Sequence, residues 1–299
     1  MDDAEALLAA VMAWGQQRSD VWAVLVVGSQ ARADTPADQW SDTDLALVVD
    51  DPEPYLAGWE WLGAFGRPLL SLVEPTAVGP FAERRVLFES GLEVDFALLP
   101  VAAARRLAQD PEGGAVLRRG FRVLVDKLDL EATLRAGAVS SPTPDRPDQA
   151  AFAQLTHDFW YHLVWAAKKL RRGELWIATQ TCNCHLKGLL VTLLAWQAKA
   201  ADPTVDTWHG GRFLERWADP QALQELRHAY AGYDAADVTR ALWAIAELFQ
   251  RLERDCAQRL GLTLSVPHQQ LRRQLGEILG LRGSPSAPAH WGGAIEQAP

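Results

Sequence analysis

Two aspartates with one residue between them carry the strongest chemical signal in the sequence. Asp42 and Asp44 flank Thr43 and open an apolar segment at 45–49. Alternate side chains of an extended chain share a face, so both carboxylates point the same way and Thr43 points away. Carboxylates this close repel each other unless a cation lies between them, and oxygen ligands suit a hard ion such as Mg²⁺. The pair therefore predicts a metal site.

A third carboxylate is needed to hold a second ion or to take a proton from an attacking hydroxyl. Asp95 lies in the apolar segment 92–99, where its bulky neighbours occupy one face of a predicted strand and Asp95 lies on the other. A strand presents its side chains rigidly, so Asp95 is expected to face the same point as Asp42 and Asp44. The alternative is a solvated carboxylate on an edge strand.

A phosphate-binding turn is predicted just upstream of the aspartates. Gly28 and Ser29 follow the apolar run 21–27, and twelve residues separate Ser29 from Asp42. Glycine lets the backbone approach a ligand closely, and amides with a hydroxyl donate to phosphate oxygens, especially if Ser29 begins a helix. Arg32 adds positive charge one turn further on. Neither a Gly-Ser dipeptide nor an isolated Asp-x-Asp is diagnostic, but the two in this strand order favour a catalytic phosphate site.

These residues need a sheet to position them, and the first half of the chain predicts one. Apolar and β-branched runs bounded by turn residues indicate strands, and spaced apolar residues indicate helices. Ser90 and Gly91 predict a tight turn between two antiparallel strands. The predicted strands are 21–27, 45–49, 68–73, 86–89, 92–99 and 122–126, and the predicted helices are 4–18 and 54–65.

The second half has almost no strand signal. A segment rich in Pro, Ser, Thr and Asp at 137–149 separates the halves. Long helical periodicity follows at 150–172, 174–199, 220–230 and 235–260. We therefore predict an α+β chain: a catalytic domain at 1–140 with a mixed β-sheet flanked by helices, an all-α helical bundle at 150–280 that binds substrate, and a flexible tail at 281–299.

Composition narrows the class of partner. The chain has 299 residues, of which 48% are hydrophobic, and a formal net charge of −9 without a long basic run. A nucleic-acid partner held by phosphate neutralisation is therefore disfavoured, and a cationic small substrate fits better. The acidic N-terminus and the absence of any apolar run of about 18 residues predict no membrane segment and a cytoplasmic location. The oligomeric state is not predicted.

Three stretches of sequence resemble a known family. GSQARADTPADQWSDTDLALVV and FESGLEVDFALLP resemble the streptomycin-modifying aminoglycoside 6-adenylyltransferases, which belong to the DNA polymerase beta-like nucleotidyltransferase superfamily. The similarity continues in DFWYHLVWAAKKLRRGELW at 158–176 and covers roughly 4–260. It implies a nucleotidyltransferase that moves AMP from ATP to an aminoglycoside hydroxyl, most simply the 6-hydroxyl of streptomycin, and so confers antibiotic resistance.

The resemblance also implies roles for residues. Asp42, Asp44 and Asp95 would bind two Mg²⁺ ions, with Asp95 the general base. Gly28, Ser29 and Arg32 would contact the ATP triphosphate, and Lys168 would reach the phosphates from the helical domain. In that domain Asp158 and Glu174 are expected to pair with cationic groups of the acceptor, and Trp160 and Trp176 to flank them. Gly173 and the segment 179–188 depart from the family pattern, which bears on the acceptor more than on the reaction.

Three alternatives stay open at this stage. The same chemistry could serve another small molecule or a protein hydroxyl. A catalytically inactive nucleotide-binding or antitoxin-like module is disfavoured, because such a module is expected to lose a carboxylate or the helical half.

His185 lies near Cys182 and Cys184, but no four-ligand set with the usual zinc spacing is present, so we assign no metal there. The cysteines are interpreted as buried apolar side chains in a reducing compartment.

Overall fold

The fold is described from a computed structural model of the chain. It covers residues 3–32, 37–107, 109–140, 146–207 and 210–280. The chain forms two compact units, Met1–Thr143 and Pro144–Pro299. The tail predicted at 281–299 lies outside the described residues.

The first unit contains a mixed six-stranded sheet. The strands are β1 Val21–Val27, β2 Thr43–Val49, β3 Pro68–Pro75, β4 Ala82–Phe88, β5 Glu93–Pro100 and β6 Arg122–Asp126. Their order in the sheet is β3-β4-β5-β2-β1-β6. Among these described strands only β2 and β5 pair in parallel, and the other neighbours are antiparallel. The predicted mixed sheet is therefore confirmed, and the parallel pair at its centre joins the two segments that carry the predicted aspartates.

Helices cover both faces of this sheet. The helices are α1 Asp3–Gln17, α2 Glu53–Ala57, α3 Val101–Ala104, α4 Pro111–Arg118 and α5 Glu131–Ser140, with 3₁₀ turns at Gly28–Ala31 and Glu60–Ala64. On one face of the sheet, α1 and α2 share a buried cluster with residues such as Leu47 and Phe96. On the other face, α3, α4 and α5 share a buried cluster with residues such as Ala46 and Leu99.

The single helix predicted at 54–65 is wrong. The chain forms α2, leaves helical geometry at Gly58, whose φ of −108° and ψ of 162° are extended, and resumes as a 3₁₀ turn. Glycine favours such a break because it has the lowest helix propensity after proline. The helices α3, α4 and α5 were not predicted, since each is short and has few spaced apolar residues.

Asp126 anchors the start of α5. Its carboxylate accepts the backbone N–H groups of Leu128, Leu130 and Glu131 at 3.0–3.1 Å. Burial by itself raises the pKa of Asp126, but these amide donors outweigh it and hold the pKa below the ordinary value of an aspartate. The ionised carboxylate therefore stabilises the junction between β6 and α5.

In the second unit every described secondary-structure element is a helix. Its helices are α6 Gln149–Arg171, α7 Leu175–Gln180, α8 Leu186–Ala201, α9 Leu214–Trp217, α10 Pro220–His228, α11 Ala235–Leu260 and α12 His268–Leu279. A π-helical turn at Thr181–His185 joins α7 to α8. The predicted helical bundle is confirmed, and the helix predicted at 174–199 is continuous from Leu175 to Ala201, with the π-helical turn inside it.

The core of this unit lies between α6, α8 and α11. Phe159 of α6 stacks on Phe249 of α11 with ring centroids 3.6 Å apart. Glu253 is fully buried and is held by Trp160 Nε1 at 3.2 Å and His268 Nε2 at 2.8 Å. Among the described helices, none is both long enough and apolar enough to cross a bilayer.

Candidate active site

The three predicted aspartates lie together at one end of the central parallel strands. Asp44 of β2 is the register partner of Asp95 of β5, and Asp42 directly precedes β2. Each side chain offers one carboxylate oxygen to a group whose atoms all lie within 4.8 Å of one another. Parallel neighbours begin at the same edge of a sheet, which is why residues about fifty positions apart in sequence meet here.

The alternation of side chains along β2 and β5 places Asp44 and Asp95 on one face of the sheet. Asp44 shares a face with Ala46, and Asp95 shares that face with Leu99. The opposite face carries Phe96, which is fully buried against α1 and α2. Asp95 is 7% exposed, so its carboxylate is held rigidly and is largely removed from water.

Gly28 makes room for Asp44. Its φ of +64° lies in the left-handed region, and a Cβ added there would lie 1.9 Å from Asp44 Oδ2. No other residue fits without displacing that carboxylate. The backbone just after β1 therefore packs directly against the Asp44 carboxylate.

Ser29 and Arg32 occupy the turn that follows. Gly28–Ala31 forms a 3₁₀ turn, so Ser29 does not begin an α-helix. Ser29 is 4% exposed, and its hydroxyl donates to the carbonyl of Asp42 at 3.4 Å. Its hydroxyl thus braces the segment leading into β2. Arg32 ends the turn in an extended conformation, with its N–H bonded to Ser29 O.

Burial and mutual repulsion perturb the carboxylates strongly. Burial, followed by the charges of Asp42 and Asp95, raises the pKa of Asp44 to about 7. Burial also raises the pKa of Asp95 to about 6, although the nearby Arg85 guanidinium opposes the rise. Such pKa values indicate negative charge that the protein does not neutralise by itself.

A bound cation would remove this penalty. The donors are carboxylate oxygens only, they lie close enough to share ions, and the chain crowds negative charge among them. This donor set suits Mg²⁺ or another hard divalent ion. The residues present therefore fit the metal that the sequence predicted.

Three charged residues at this site were not predicted. Arg85 of β4 is the register partner of Asp95, and its Nη2 lies 2.8 Å from Asp95 Oδ2. Its Nε contacts Glu74 at 2.9 Å and Glu83 at 3.1 Å. The corresponding strand was predicted at 86–89, whereas β4 begins at Ala82. Extending the strand by alternation would have placed Glu83 and Arg85 on the face of Asp95.

Four of the predicted helical-domain residues lie at the surface of the second unit. Lys168 is exposed in the last turn of α6. Trp176 is 60% exposed and lies edge-on to Tyr233, with ring centroids 6.3 Å apart. Glu174 is ion-paired within the unit, and Asp158 is hydrogen-bonded to two histidines. Contact of these residues with nucleotide or acceptor stays a prediction.

The structure does not support the acceptor role expected for Trp160. Its side chain is 1% exposed and packs between Phe159 and His268 in the helical core. Its indole N–H donates to the buried Glu253. The ring therefore has no free face for a ligand, and its position on α6 is explained by packing.

Comparison with known proteins supports the resemblance found in the sequence. The family described as streptomycin adenylyltransferase matches residues 1–274. An aminoglycoside 6-adenylyltransferase of Bacillus subtilis (strain 168) is 22% identical over 251 residues, covering 82% of this chain and 86% of the relative. One from Staphylococcus aureus is 25% identical over 197 residues, covering 64% and 67%.

A solved structure was also similar. The crystal structure of an aminoglycoside 6-adenyltransferase from Bacillus subtilis matches with a TM-score of 0.45 and 17% sequence identity, covering 91% of this chain and 97% of that one. The family match over most of the chain confirms the resemblance recognised from the sequence.

Proposed function

Since the chain belongs to the streptomycin adenylyltransferase family and is therefore a nucleotidyltransferase, we propose that it transfers AMP from ATP to a hydroxyl of an aminoglycoside, with streptomycin as the first candidate. The observation that carries this proposal is the convergence of Asp42, Asp44 and Asp95 within 4.8 Å beside the backbone of Gly28. A carboxylate cluster next to a close-approach turn matches what nucleotidyl transfer needs: ligands for divalent ions and a surface for phosphates.

The proposed reaction is a displacement at the α-phosphorus. The acceptor hydroxyl oxygen forms a bond to that phosphorus, the bond from phosphorus to the bridging oxygen of the β-phosphate breaks, and pyrophosphate leaves. The hydroxyl proton passes to a base. When bound, two Mg²⁺ ions would offset charge on the nucleotide and lower the pKa of the hydroxyl. Asp42 and Asp44 would hold the ions, with Asp95 as the third ligand.

Asp95 is the proposed base. A base for this proton must lie on the face where the acceptor reacts and must be able to take a proton near neutral pH. Asp95 lies beside Asp44 in the register of the central parallel strands, so its carboxylate would be next to a hydroxyl that reacts at this site. Arg85, 2.8 Å from the Asp95 carboxylate, would orient it.

The nucleotide would lie along the turn after β1. Gly28 lets phosphates approach the backbone, while Ser29 fixes the turn by its bond to the Asp42 carbonyl. Arg32 and, from the helical unit, Lys168 would supply positive charge to the triphosphate. Guanidinium and ammonium groups bind phosphate oxygens through charge-assisted hydrogen bonds.

The acceptor would bind through the helical unit. A streptomycin-like acceptor carries guanidinium and ammonium groups, and exposed aromatic rings and carboxylates bind such groups. Trp176 offers an exposed ring, and Glu174 lies two positions before it. Glu174 now pairs with Lys169 and Arg172, each at 2.8 Å, so a cationic acceptor would have to replace these partners. The cytoplasmic location stays a prediction.

A panel of acceptors tests the proposal. The protein would be incubated with Mg²⁺, each of the four nucleoside triphosphates in turn, and a set of aminoglycosides that includes streptomycin. Mass spectrometry should show one adenylyl adduct on streptomycin with ATP alone. Adducts on another aminoglycoside but not on streptomycin would refute the acceptor and keep the reaction, whereas the absence of any nucleotidyl adduct would refute the reaction.

A further inference from the structure

A second cluster of potential metal ligands lies in the helical unit. Asp158, His162 and His185 each offer one ligand atom, and these atoms all lie within 4.8 Å of one another. His162 Nδ1 is 2.5 Å and His185 Nε2 is 3.0 Å from the same oxygen, Asp158 Oδ1. The two imidazole centroids are 4.3 Å apart. Both imidazole nitrogens therefore already lie next to one oxygen of the Asp158 carboxylate.

Two features of the backbone, the spacing along α6 and a π-helical turn, bring these side chains together. Asp158 and His162 are four residues apart on α6, so they lie one above the other on the same helix face. His185 ends the π-helical turn Thr181–His185 between α7 and α8. π-Helical turns are rare and often occur at functional sites, because the extra residue redirects a side chain. Here that side chain is directed at Asp158.

The cluster is open to water. The side chains of Asp158, His162 and His185 are 27%, 34% and 42% exposed. An ion could therefore enter without unfolding the unit, and water could complete its coordination. The separations of 2.5 and 3.0 Å between ligand atoms are close to the roughly 3.3 Å that a tetrahedral site with bonds of about 2.0 Å needs. Small side-chain movements would suffice.

We propose that Asp158, His162 and His185 form a binding site for a divalent transition-metal ion, with Zn²⁺ as the physiological candidate. Two imidazoles and one carboxylate suit Zn²⁺, Co²⁺ and Ni²⁺ rather than Mg²⁺, which prefers oxygen ligands alone. The site is therefore chemically distinct from the all-oxygen cluster of the first unit. Water molecules fill the remaining positions, as in zinc sites with three protein ligands.

The two cysteines nearest in sequence are not part of this site. Cys182 is fully buried, with its thiol directed to the carbonyl of Ala229 at 3.8 Å. Cys184 is exposed, and its thiol contacts Gln180 Oε1 at 3.3 Å. The partners of His185 come instead from α6, twenty-three or more positions earlier, and no local spacing pattern reveals them.

The site has a structural consequence for Asp158. An ion there would tie α6 to the π-helical turn and would stabilise the folded unit by binding it and not the unfolded chain. The ion would also occupy the Asp158 carboxylate, which was predicted from the sequence to pair with a cationic group of the acceptor. Metal and acceptor cations would then compete for Asp158.

Cobalt binding tests the proposal with an optical signal. The full chain would carry Asp44→Asn and be kept in excess Mg²⁺, so that the first unit does not contribute, and would be titrated with Co²⁺. We expect one equivalent of Co²⁺ to produce visible d–d absorption and to raise Tm. His185→Ala and His162→Ala should each weaken binding at least about tenfold, the loss that removal of even an outer-shell partner causes.

Two control variants make the result specific. His157→Ala removes an exposed histidine from the same helix, one that contacts Ser265 rather than the cluster, and should leave Co²⁺ affinity unchanged. Cys184→Ser should also leave it unchanged. The proposal would be overturned by absence of a Co²⁺ signal in the parent protein, by histidine variants that keep the affinity of the parent, or by loss of binding on Cys184→Ser. Circular dichroism of each variant separates lost binding from lost folding.

Discussion

Replacing Asp44 by Asn should stabilise the metal-free protein while removing its activity. Burial and the charges of Asp42 and Asp95 raise the pKa of Asp44 from 3.8 to about 7 in the folded chain. A factor of ten in the acidity constant corresponds to about 1.4 kcal/mol, so the ionised carboxylate lowers the stability by up to about 4 kcal/mol. Side-chain relaxation and counterions reduce this penalty, and we expect a gain of about 1–3 kcal/mol for Asp44→Asn.

The pH dependence of this gain has a definite sign. A folded-state pKa above the unfolded value means that the folded protein binds a proton more tightly than the unfolded chain. The penalty from Asp44 is therefore fully present above pH about 7 and disappears as the pH falls towards about 4. Asp44→Asn should thus be more stable than the wild type at pH 8 and nearly equal to it at pH about 3.5.

Thermal and chemical unfolding in EDTA, followed by circular dichroism, measures the effect. At pH 8 the variant should melt several degrees higher, and added Mg²⁺ should raise Tm of the wild type but not of the variant. Turnover should fall by a factor of about 10² or more, because a metal ligand contributes several kcal/mol to the transition state. Asp51→Asn, an exposed carboxylate outside the cluster, serves as the control.

Two results would refute this reasoning. Equal stability of Asp44→Asn and the wild type at pH 8 would mean that the carboxylates do not crowd one another in the folded protein. Near-normal turnover by the variant would mean that Asp44 does not take part in the reaction.

Four further predictions follow from the same contacts. Gly28→Ala places a Cβ 1.9 Å from the Asp44 carboxylate and should lower kcat about 10²-fold in a turnover assay. Gly91→Ala is the control: its φ is +88° and the space around it is open, so thermal unfolding should show lower stability while turnover stays unchanged. Arg85→Gln removes a cation from the acidic cluster, so half-maximal activation should need less Mg²⁺; a need for more would contradict the ion pair seen here. Lys168→Ala should raise the apparent KM for ATP about tenfold, and an unchanged KM would remove it from the phosphate site. Asp126→Ala should destabilise the first unit by about 1–2 kcal/mol at pH 7, as measured by urea unfolding. Because the pKa of Asp126 is lowered in the folded protein, the difference between variant and wild type should vanish as the pH falls well below about 4.

The sheet and its aspartates were predictable from the sequence because local signals and global packing agree. Val21–Val27 and Arg122–Asp126 are bounded by residues that end strands, and the predicted bounds match the observed ones. Strand alternation alone places Asp42 and Asp44 on one face. The parallel pairing that brings Asp95 beside Asp44 is not visible in any local pattern, and the prediction of convergence rested on chemistry.

The helical half was predictable in kind but not in detail. Ala235–Leu260 matches its prediction, because one apolar stripe runs through it without interruption. The π-helical turn at Thr181–His185 continues the helix without a break, so periodicity gave no sign of it. Trp160 was assigned to a ligand because aromatic residues serve both cores and cation sites, and sequence does not distinguish the two.

Side-chain partners across elements were the least predictable feature. Arg85 reaches Asp95 from a neighbouring strand, and His185 reaches Asp158 from another helical segment. Each pair depends on tertiary packing rather than on sequence spacing. Charged residues on a strand face next to a predicted catalytic aspartate are the signal that would have indicated Arg85.

Transfer of a labelled adenylyl group tests the central claim most directly. The wild type and Asp42→Asn would each be incubated with Mg²⁺, streptomycin and ATP labelled at the α-phosphate. We expect the wild type to move the label to the acceptor and to release one pyrophosphate for each product, and Asp42→Asn to do neither. Label transfer by Asp42→Asn at the wild-type rate, or ATP cleaved by the wild type to ADP and phosphate, would contradict this expectation.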